Sequence, residues 1–320
     1  MNNYSNQAIV LGCDHHNTLG VLRSFGFKGV HPIYIHVGNM DSYVTRCRYI
    51  KKLYFAKSSK DAVSLLLEMR TNFTEKPVVI ACYDSIASEI DLNYNSLNSY
   101  YILPGCPKQG NLTHYMNKEV MSDIAREIGL NVPETWVIDS KNKIENIKYP
   151  CIIKPILSRD GRKSDIEICR TKKELEVAIE KGSCYKYQVQ TFIEKDFEYQ
   201  LIGMSYNGGE VVIIPGVSRC IRPRPRTNTG YLSYEHLEKI DAPIELCKAF
   251  LKHVKYSGLF SMEFLRDSNG VDYYMETNFR NDGNAICVTK AGYNLPWLFY
   301  GSSILGGLGG QNGFIKRLVI

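Results

Sequence analysis

No Cys-x-x-Cys pair occurs in the 320-residue sequence, and its ten cysteines are scattered singly. That spacing excludes the common paired-cysteine zinc and redox motifs. Gly-x-Gly-x-x-Gly and Gly-x-x-x-x-Gly-Lys-Ser/Thr are absent as well, which removes the dinucleotide fingerprint and the Walker-type phosphate loop. No stretch of about 18 apolar residues is present, so no membrane-spanning helix is expected. The opening MNNYSNQAIV has no basic region running into an apolar one and does not read as a signal peptide. A cytoplasmic chain with reduced thiols is the expectation. Excess charge is also small, 39 Lys and Arg against 33 Asp and Glu, a formal +6. Nucleic-acid binding would need a concentrated basic face, so no nucleic-acid partner is expected.

What remains is an ordinary folded composition, 44% hydrophobic with 25 Gly and 12 Pro, long enough for two or three packed units. QAIVLG (7–12) reads as a strand, 17–25 as a helix, VHPIYIHVG as a strand, 61–70 as a helix, and PVVIACYDS as a strand that opens into a loop at Asp84. Strand and helix alternating at this spacing predict a small open parallel sheet covered by helices, with ligands at the carboxyl ends of its strands. The loop GCDHHNTLG (12–20) is therefore a candidate site. Its adjacent histidines lack metal-site spacing, and a structural or substrate-shaping role is expected for them. Further on, 117–129 is an amphipathic helix stopped by Gly129, and KYPCIIKPI, IEIC and YQVQTFIE read as strands around the helix KKELEVAIEKG. That grouping predicts a small antiparallel lobe. FEYQLIGMSYNGGEVVIIPG reads as two strands joined at NGG. A helix at about 241–255 precedes a hairpin, GLFSMEFLRD and VDYYMETNFR, turning at SNG.

The hairpin carries the chemistry. Glu276 and Asn278, two apart on one strand, share a face that Glu263 can reach from the neighbouring strand. Two carboxylates and an amide oxygen are hard ligands suited to magnesium, and a cation would offset the repulsion between the acids. The plain alternative is a solvated hairpin face, but both acids lie within apolar runs (FSMEFL, YYMETNF) where a carboxylate needs a partner. Lys154, inside an apolar strand, is a point charge suited to phosphate. The segment SRDGRKSD offers backbone N–H groups able to cradle phosphate. Extended backbone at Gln190 to Ile193 could pair with a purine edge, and Glu198 could accept from two ribose hydroxyls. Arg219, Arg222, Arg224 and Arg226 crowd one segment. It is read as an arginine-rich loop able to grip a carboxylate, with Arg222 and Arg280 the chosen anion contacts.

In this order the pieces resemble an ATP-grasp enzyme, over about Lys118 to Asn284, roughly half the chain. The resemblance implies an α/β (α+β) fold: an N-terminal open parallel-sheet domain (1–115), then an ATP-grasp domain (116–320). The latter divides into a small antiparallel nucleotide-clamping lobe at about 130–192 and a C-terminal mixed-sheet catalytic lobe at about 193–320. It also implies that Lys118, ahead of GLNVP, contacts the phosphates, and that Lys154, within YPCIIKP, contacts phosphate and adenine. A loop from Ser158 to Ser164, with Gly161 as its one glycine, would cover the phosphates. Gln190, Thr191, Phe192 and Ile193 would read adenine, and Glu198 the ribose. Glu263, Glu276 and Asn278 would hold the metal, and Arg280 would steady the transferred phosphate or an acyl phosphate. The first strand–loop and the hairpin look closest to D-aspartate ligase-like members, with carbamoyl-phosphate-synthase-like proteins also similar. The implied activity is an ATP-dependent C–N ligase joining a carboxylate to an amine through an acyl phosphate, with an amino acid, aspartate-like, as a substrate. Its cofactors are ATP and Mg2+, with Mn2+ as a substitute, and its partners are small molecules, with a homodimer left open. A carboxylating enzyme of the same fold and a non-enzymatic nucleotide-binding regulator are the alternatives.

Overall fold

A computed structural model describes residues 6–139, 146–155, 166–182, 186–224 and 227–305. The N-terminal sheet is built from β1 (Ala8–Gly12), α1 (His16–Gly26), β2 (Ile33–Val37), β3 (Lys52–Ala56), α2 (Ser59–Met69), β4 (Val78–Ala81) and α3 (Asp84–Leu92). Its four strands are all parallel, in the order β3-β2-β1-β4. β1 and β4 are buried along their whole length, which is why they read as continuous apolar runs rather than alternating ones.

Two elements of this region differ from expectation. β3 was not anticipated, because its edge position leaves KLYFA largely uncovered and without a clear apolar face. Asp84 opens a helix, α3, rather than a loop. An acidic residue in a first turn is favoured by the helix dipole, and Ile86, Ala87 and Ile90 bury one face of it.

Short helices α4 (Tyr94–Leu97) and α5 (Asn111–Tyr115) lead into α6 (Lys118–Ile128). The start of α6 is fixed by Asn117, whose side chain accepts from the N–H groups of Glu119 and Val120. Gly129, at φ 100°, ends it in the left-handed conformation that glycine adopts without a Cβ clash. Its apolar face (Met121, Ile124, Ala125) is buried, so the first helical residue, Lys118, stands beside the strands it packs on.

The second sheet comprises β5 (Thr135–Asp139), β6 (Cys151–Pro155), β7 (Glu167–Cys169) and β8 (Lys186–Thr191), with α7 (Lys172–Lys181) over it. Its order is β5-β8-β6-β7, antiparallel throughout. It has its own small core around Cys151, Ile153, Leu175, Tyr187 and Val189. The third sheet contains β9 (Lys195–Tyr206), β10 (Val211–Ile213), β11 (Val217–Arg224), β12 (Thr227–Glu235), β13 (Gly258–Asp267) and β14 (Asp272–Asn278), with α8 (Ile244–His253) between β12 and β13. It runs β12-β11-β9-β13-β14 with β10 beside β9. Every described pairing in it is antiparallel, a narrower result than the mixed sheet expected. The pairs β9–β10 and β13–β14 are each joined by a short turn, a connection that only antiparallel pairs permit. The arginine-rich segment is β11 of this sheet, not a loop. The closing helices α9 (Ala285–Lys290) and α10 (Leu295–Leu305) share a core with β1, α1, β4, β9 and β13, tying the first sheet to the third. No helix among the described residues is long and apolar enough to cross a membrane.

Candidate functional site

The third sheet meets the second across a cavity of about 460 Å³. One wall is the β13–β14 hairpin, where Glu263 stands opposite Glu276 and Ser261 opposite Asn278. The other is the small sheet, with Ile152, Lys154, Gln190 and Thr191. Phe192 and Ile193, on the chain passing between the two sheets, and Lys195 and Glu198, at the start of β9, also line it. Lys118, Lys154, Gln190 through Ile193, Glu198, Glu263 and Glu276 are thus brought to one cavity from six elements and a connector.

The local contacts show how. The Thr277 N–H of β14 donates to the Met121 sulfur of α6 at 3.0 Å, seating the helix on the hairpin. Lys118 Nζ then lies 3.1 Å from Glu276 Oε2. Lys154 Nζ donates to Gln190 Oε1 at 3.2 Å, while the Gln190 amide donates to Thr135 Oγ1 at 3.0 Å. Across the hairpin, Glu263 Oε1 accepts from Gln200 at 3.2 Å and from Asn278 at 3.1 Å. Asn278 itself lines no described cavity and lies between Glu263 and Arg280, whose NH2 donates to its Oδ1 at 3.0 Å.

Electrostatics follow from this crowding. Burial, then the neighbouring Glu276 and Asp282, pushes the Glu263 carboxyl up to about 8. Burial acts the same way on Glu276, but Lys118, Lys154 and Arg280 outweigh it and hold that carboxyl below its ordinary value. Lys154 is depressed to about 8, by burial first and Lys118 second, against the pull of Glu276. Two acids with opposite shifts and a lysine that gives up its proton easily form a site whose charge is set for a further ionic ligand.

The residues fit a nucleotide with a divalent cation. Thr191 Oγ1 and Glu198 Oε1 are buried without a hydrogen-bond partner among the described residues, and both residues line the cavity. Buried acceptors are seldom left unpaired, and ribose hydroxyls would satisfy them. The donor set of two carboxylates and an amide is an oxygen set, suited to magnesium. No group of three or more His, Cys, Asp or Glu gathers among the described residues, so Asn278 is needed to complete it.

A second cavity, about 270 Å³, shares Gln200, Glu263 and Asn284 with the first. Its other walls are His15, His16 and Asn17 at the start of α1, Cys82, Tyr83 and Asp84 at the start of α3, and Arg280, Asp282 and Gly283 after β14. Arg280 bridges both regions. Its Nε is 3.4 Å from Asp84 and its NH1 3.4 Å from Asp282. Burial alone would lower its pKa, but Asp84, Asp282, Glu263 and Glu276 raise it.

Not every expected residue is brought in. Arg222 is exposed, beyond a register break in β11, and lines neither cavity. Arg219 instead lies over the Phe197 ring at 4.1 Å. Ser158, Gly161, Ser164 and Arg226 lie outside the described residues, and the side chain of Arg224 is likewise not described. Gln200, Asp282 and Asn284 were missed. Gln200 is two residues beyond Glu198 on β9 and so on its face, and Asp282 and Asn284 extend the polar run directly after Arg280, so both signals were present.

A parallel α/β unit, a small antiparallel sheet and a larger sheet that clamp a lysine- and carboxylate-lined cavity define the ATP-grasp fold, and the chain has that fold. Among solved structures it is similar to the L-amino acid ligase of Bacillus licheniformis, at a TM-score of 0.70 and 15% identity over 93% of this chain and 74% of that one. It is also similar to the biotin carboxylase domain of Hydrogenobacter thermophilus 2-oxoglutarate carboxylase, solved with MgADP and bicarbonate, at a TM-score of 0.67 and 14% identity over 96% of this chain and 71% of that one. In sequence it is 24% identical over 201 residues to a formate-dependent phosphoribosylglycinamide formyltransferase of Bacteroides fragilis, covering 58% of this chain and 50% of that protein. It is 24% identical over 255 residues to a D-aspartate ligase of Enterococcus faecium, covering 72% and 59%. The chain thus spans about half to three-fifths of the length of these curated relatives. No protein-family model matches it.

Proposed function

We propose that the chain is an ATP- and magnesium-dependent ligase that activates a carboxylate as an acyl phosphate and passes it to an amine. One observation carries this reading: the 460 Å³ cavity joins three lysines, two oppositely shifted carboxylates and two buried oxygens, Thr191 Oγ1 and Glu198 Oε1, that have no hydrogen-bond partner among the described residues. The names of both curated relatives include a carboxylate, formate in one and D-aspartate in the other. An amino acid is the proposed carboxylate. The aspartate-like choice rests on the second relative alone, because Arg222 stands away from both cavities. The unit boundary is proposed near residue 116, ahead of α6.

The residues divide the work. Glu198 and the Gln190–Ile193 connector hold the nucleoside. Lys118 and Lys154 neutralise the phosphates and position the terminal one. Magnesium bound to Glu263, Glu276 and Asn278 would draw off charge as the phosphoryl group moves. Arg280, already fixed by Asp84, Asp282 and Asn278, is positioned to stabilise the acyl phosphate. Phosphate release from ATP, measured over a matrix of carboxylates and amines with mass spectrometry of the products, tests the reading. Release that never depends on an amine would overturn it.

A proton is expected to leave when the metal binds. Glu263 holds its proton up to about pH 8 in the metal-free chain, and a coordinating carboxylate must give it up. Magnesium affinity should therefore rise with pH from the ordinary carboxylate range to about 8 and then level off. Calorimetric titration in two buffers of different ionisation enthalpy, with and without ADP, measures the proton count. Binding without proton release at pH 6.5 would remove Glu263 from the metal site.

A further inference from the structure

We propose that the second cavity receives a protonated primary amine, held by the Asp84 carboxylate, and that His16 takes its proton before attack. This rests on the ligase reading and names its acceptor. Apart from Glu263, which keeps its proton until the metal binds, the cavity's charged lining is Asp84 and Asp282 against the single cation Arg280. That guanidinium is held by Asp84 at Nε, by Asp282 and the Asn281 carbonyl at NH1 and by Asn278 at NH2, and in the ligase reading it serves the acyl phosphate, not the acceptor. Among the described lining residues no second arginine or lysine is present to receive an anion. An ammonium group is the better electrostatic match, and Asp84, with 49% of its side chain exposed, is the acid open to it.

The two histidines differ in what they can do. His15 Nδ1 accepts from the Asn17 N–H at 3.2 Å and caps α1. Burial, His16 and Arg280 hold its pKa below the ordinary imidazole value. Neutral, with Nδ1 occupied as an acceptor, it carries its proton on Nε2 and is a donor rather than a base. His16 is exposed and lies 3.9 Å from His15, ring to ring. No hydrogen bond among the described residues engages its nitrogens, so it is free to accept. Gly283 keeps the space before it clear, since a Cβ there would stand 2.9 Å from His16 Nε2.

The step balances. R–NH3+ gives one proton to His16, the freed nitrogen pair attacks the acyl carbon, the C–O bond to phosphate breaks, and phosphate leaves with that electron pair. The second nitrogen proton leaves with phosphate, and His16 returns its own to water. Products are the amide, hydrogen phosphate and one proton.

The discriminating probe is hydroxylamine, which needs no deprotonation at neutral pH, set against glycinamide, which is largely an ammonium ion. Both are supplied to the wild type, His16→Asn and Asp84→Asn with ATP, Mg2+ and alanine, aspartate or formate. In His16→Asn the ratio of glycinamide to hydroxylamine turnover should fall by about a hundredfold, the usual scale of a general base. In Asp84→Asn, KM should rise about tenfold more for glycinamide than for hydroxylamine, the scale of one charge-assisted contact. Equal losses with both nucleophiles in His16→Asn would overturn the proposal while leaving the ligase reading standing. If no hydroxamate forms with any of these carboxylates in the wild type, the acyl-phosphate reading fails and this proposal with it.

Discussion

Replacing Glu276 with alanine is expected to lower ATP-dependent turnover by about a thousandfold, the upper range for loss of a group that stabilises charge during transfer. The effect is large because the residue works on both sides. It is one of two carboxylates facing the cavity from the hairpin, and it holds Lys118 at 3.1 Å. Removal leaves Glu263 as the remaining acid of the proposed metal set and releases Lys118, in the first turn of α6, which is the proposed phosphate contact. A Glu276→Gln variant separates the roles, keeping shape and hydrogen bonding but losing charge. Both variants should need far more magnesium to saturate. Circular dichroism would check folding, and full turnover by Glu276→Ala would show that the hairpin acids do not hold the metal.

The second large effect has opposite signs for binding and stability. Lys154→Met is expected to weaken ATP binding by about a hundredfold, as loss of a partly desolvated lysine–phosphate contact implies, yet to raise the melting temperature of the nucleotide-free chain by roughly 2 °C. The unbound protein keeps this cation partly buried beside another cation, with its pKa lowered to about 8. An apolar side chain of similar length removes that cost. The sign follows from proton counting. The unfolded lysine holds its proton up to its ordinary value of 10.5, the folded one only to about 8. The penalty is therefore full below pH 8 and relieved as pH rises towards 10.5, where the unfolded state binds more protons. The stability gap between Lys154→Met and wild type should narrow over that window, as read by thermal melts at pH 7, 9 and 10. A variant less stable than wild type at every pH would contradict this account of the site.

Much of the site was legible because burying charge is costly. Lys154, Glu263 and Glu276 each interrupt an apolar run, and such interruptions survive where a ligand or partner compensates them. The hairpin itself follows from strand period and a tight turn, but Glu263 stands opposite Glu276 only because the register shifts between Glu263 and Phe264; an unbroken ladder would set it against Met275. Long-range pairing was not legible. That Arg280 would be shared by Asp84 and Asp282, one from the far sheet and one from its own loop, depends on how β4 and β14 come together. The arginine cluster misled for a related reason: density along the chain says nothing about facing. β11 turns Arg219 onto Phe197 and leaves Arg222 in solvent. β3 escaped notice because an edge strand without a buried face carries little periodic signal.

The contact between Lys118 and Glu276 reaches beyond holding a helix against a hairpin. One carboxylate cannot give its full charge to a lysine and to a cation at once. A metal arriving alone must displace the lysine, whereas a nucleotide arriving with it offers that lysine a phosphate instead. The two ligands then share one equilibrium and tighten each other by the same factor, which the magnesium titration with and without ADP reads directly. In the proposed site the pair would thus act as an interlock: the cation would be admitted chiefly with its triphosphate, and the protein would have little reason to hold either by itself.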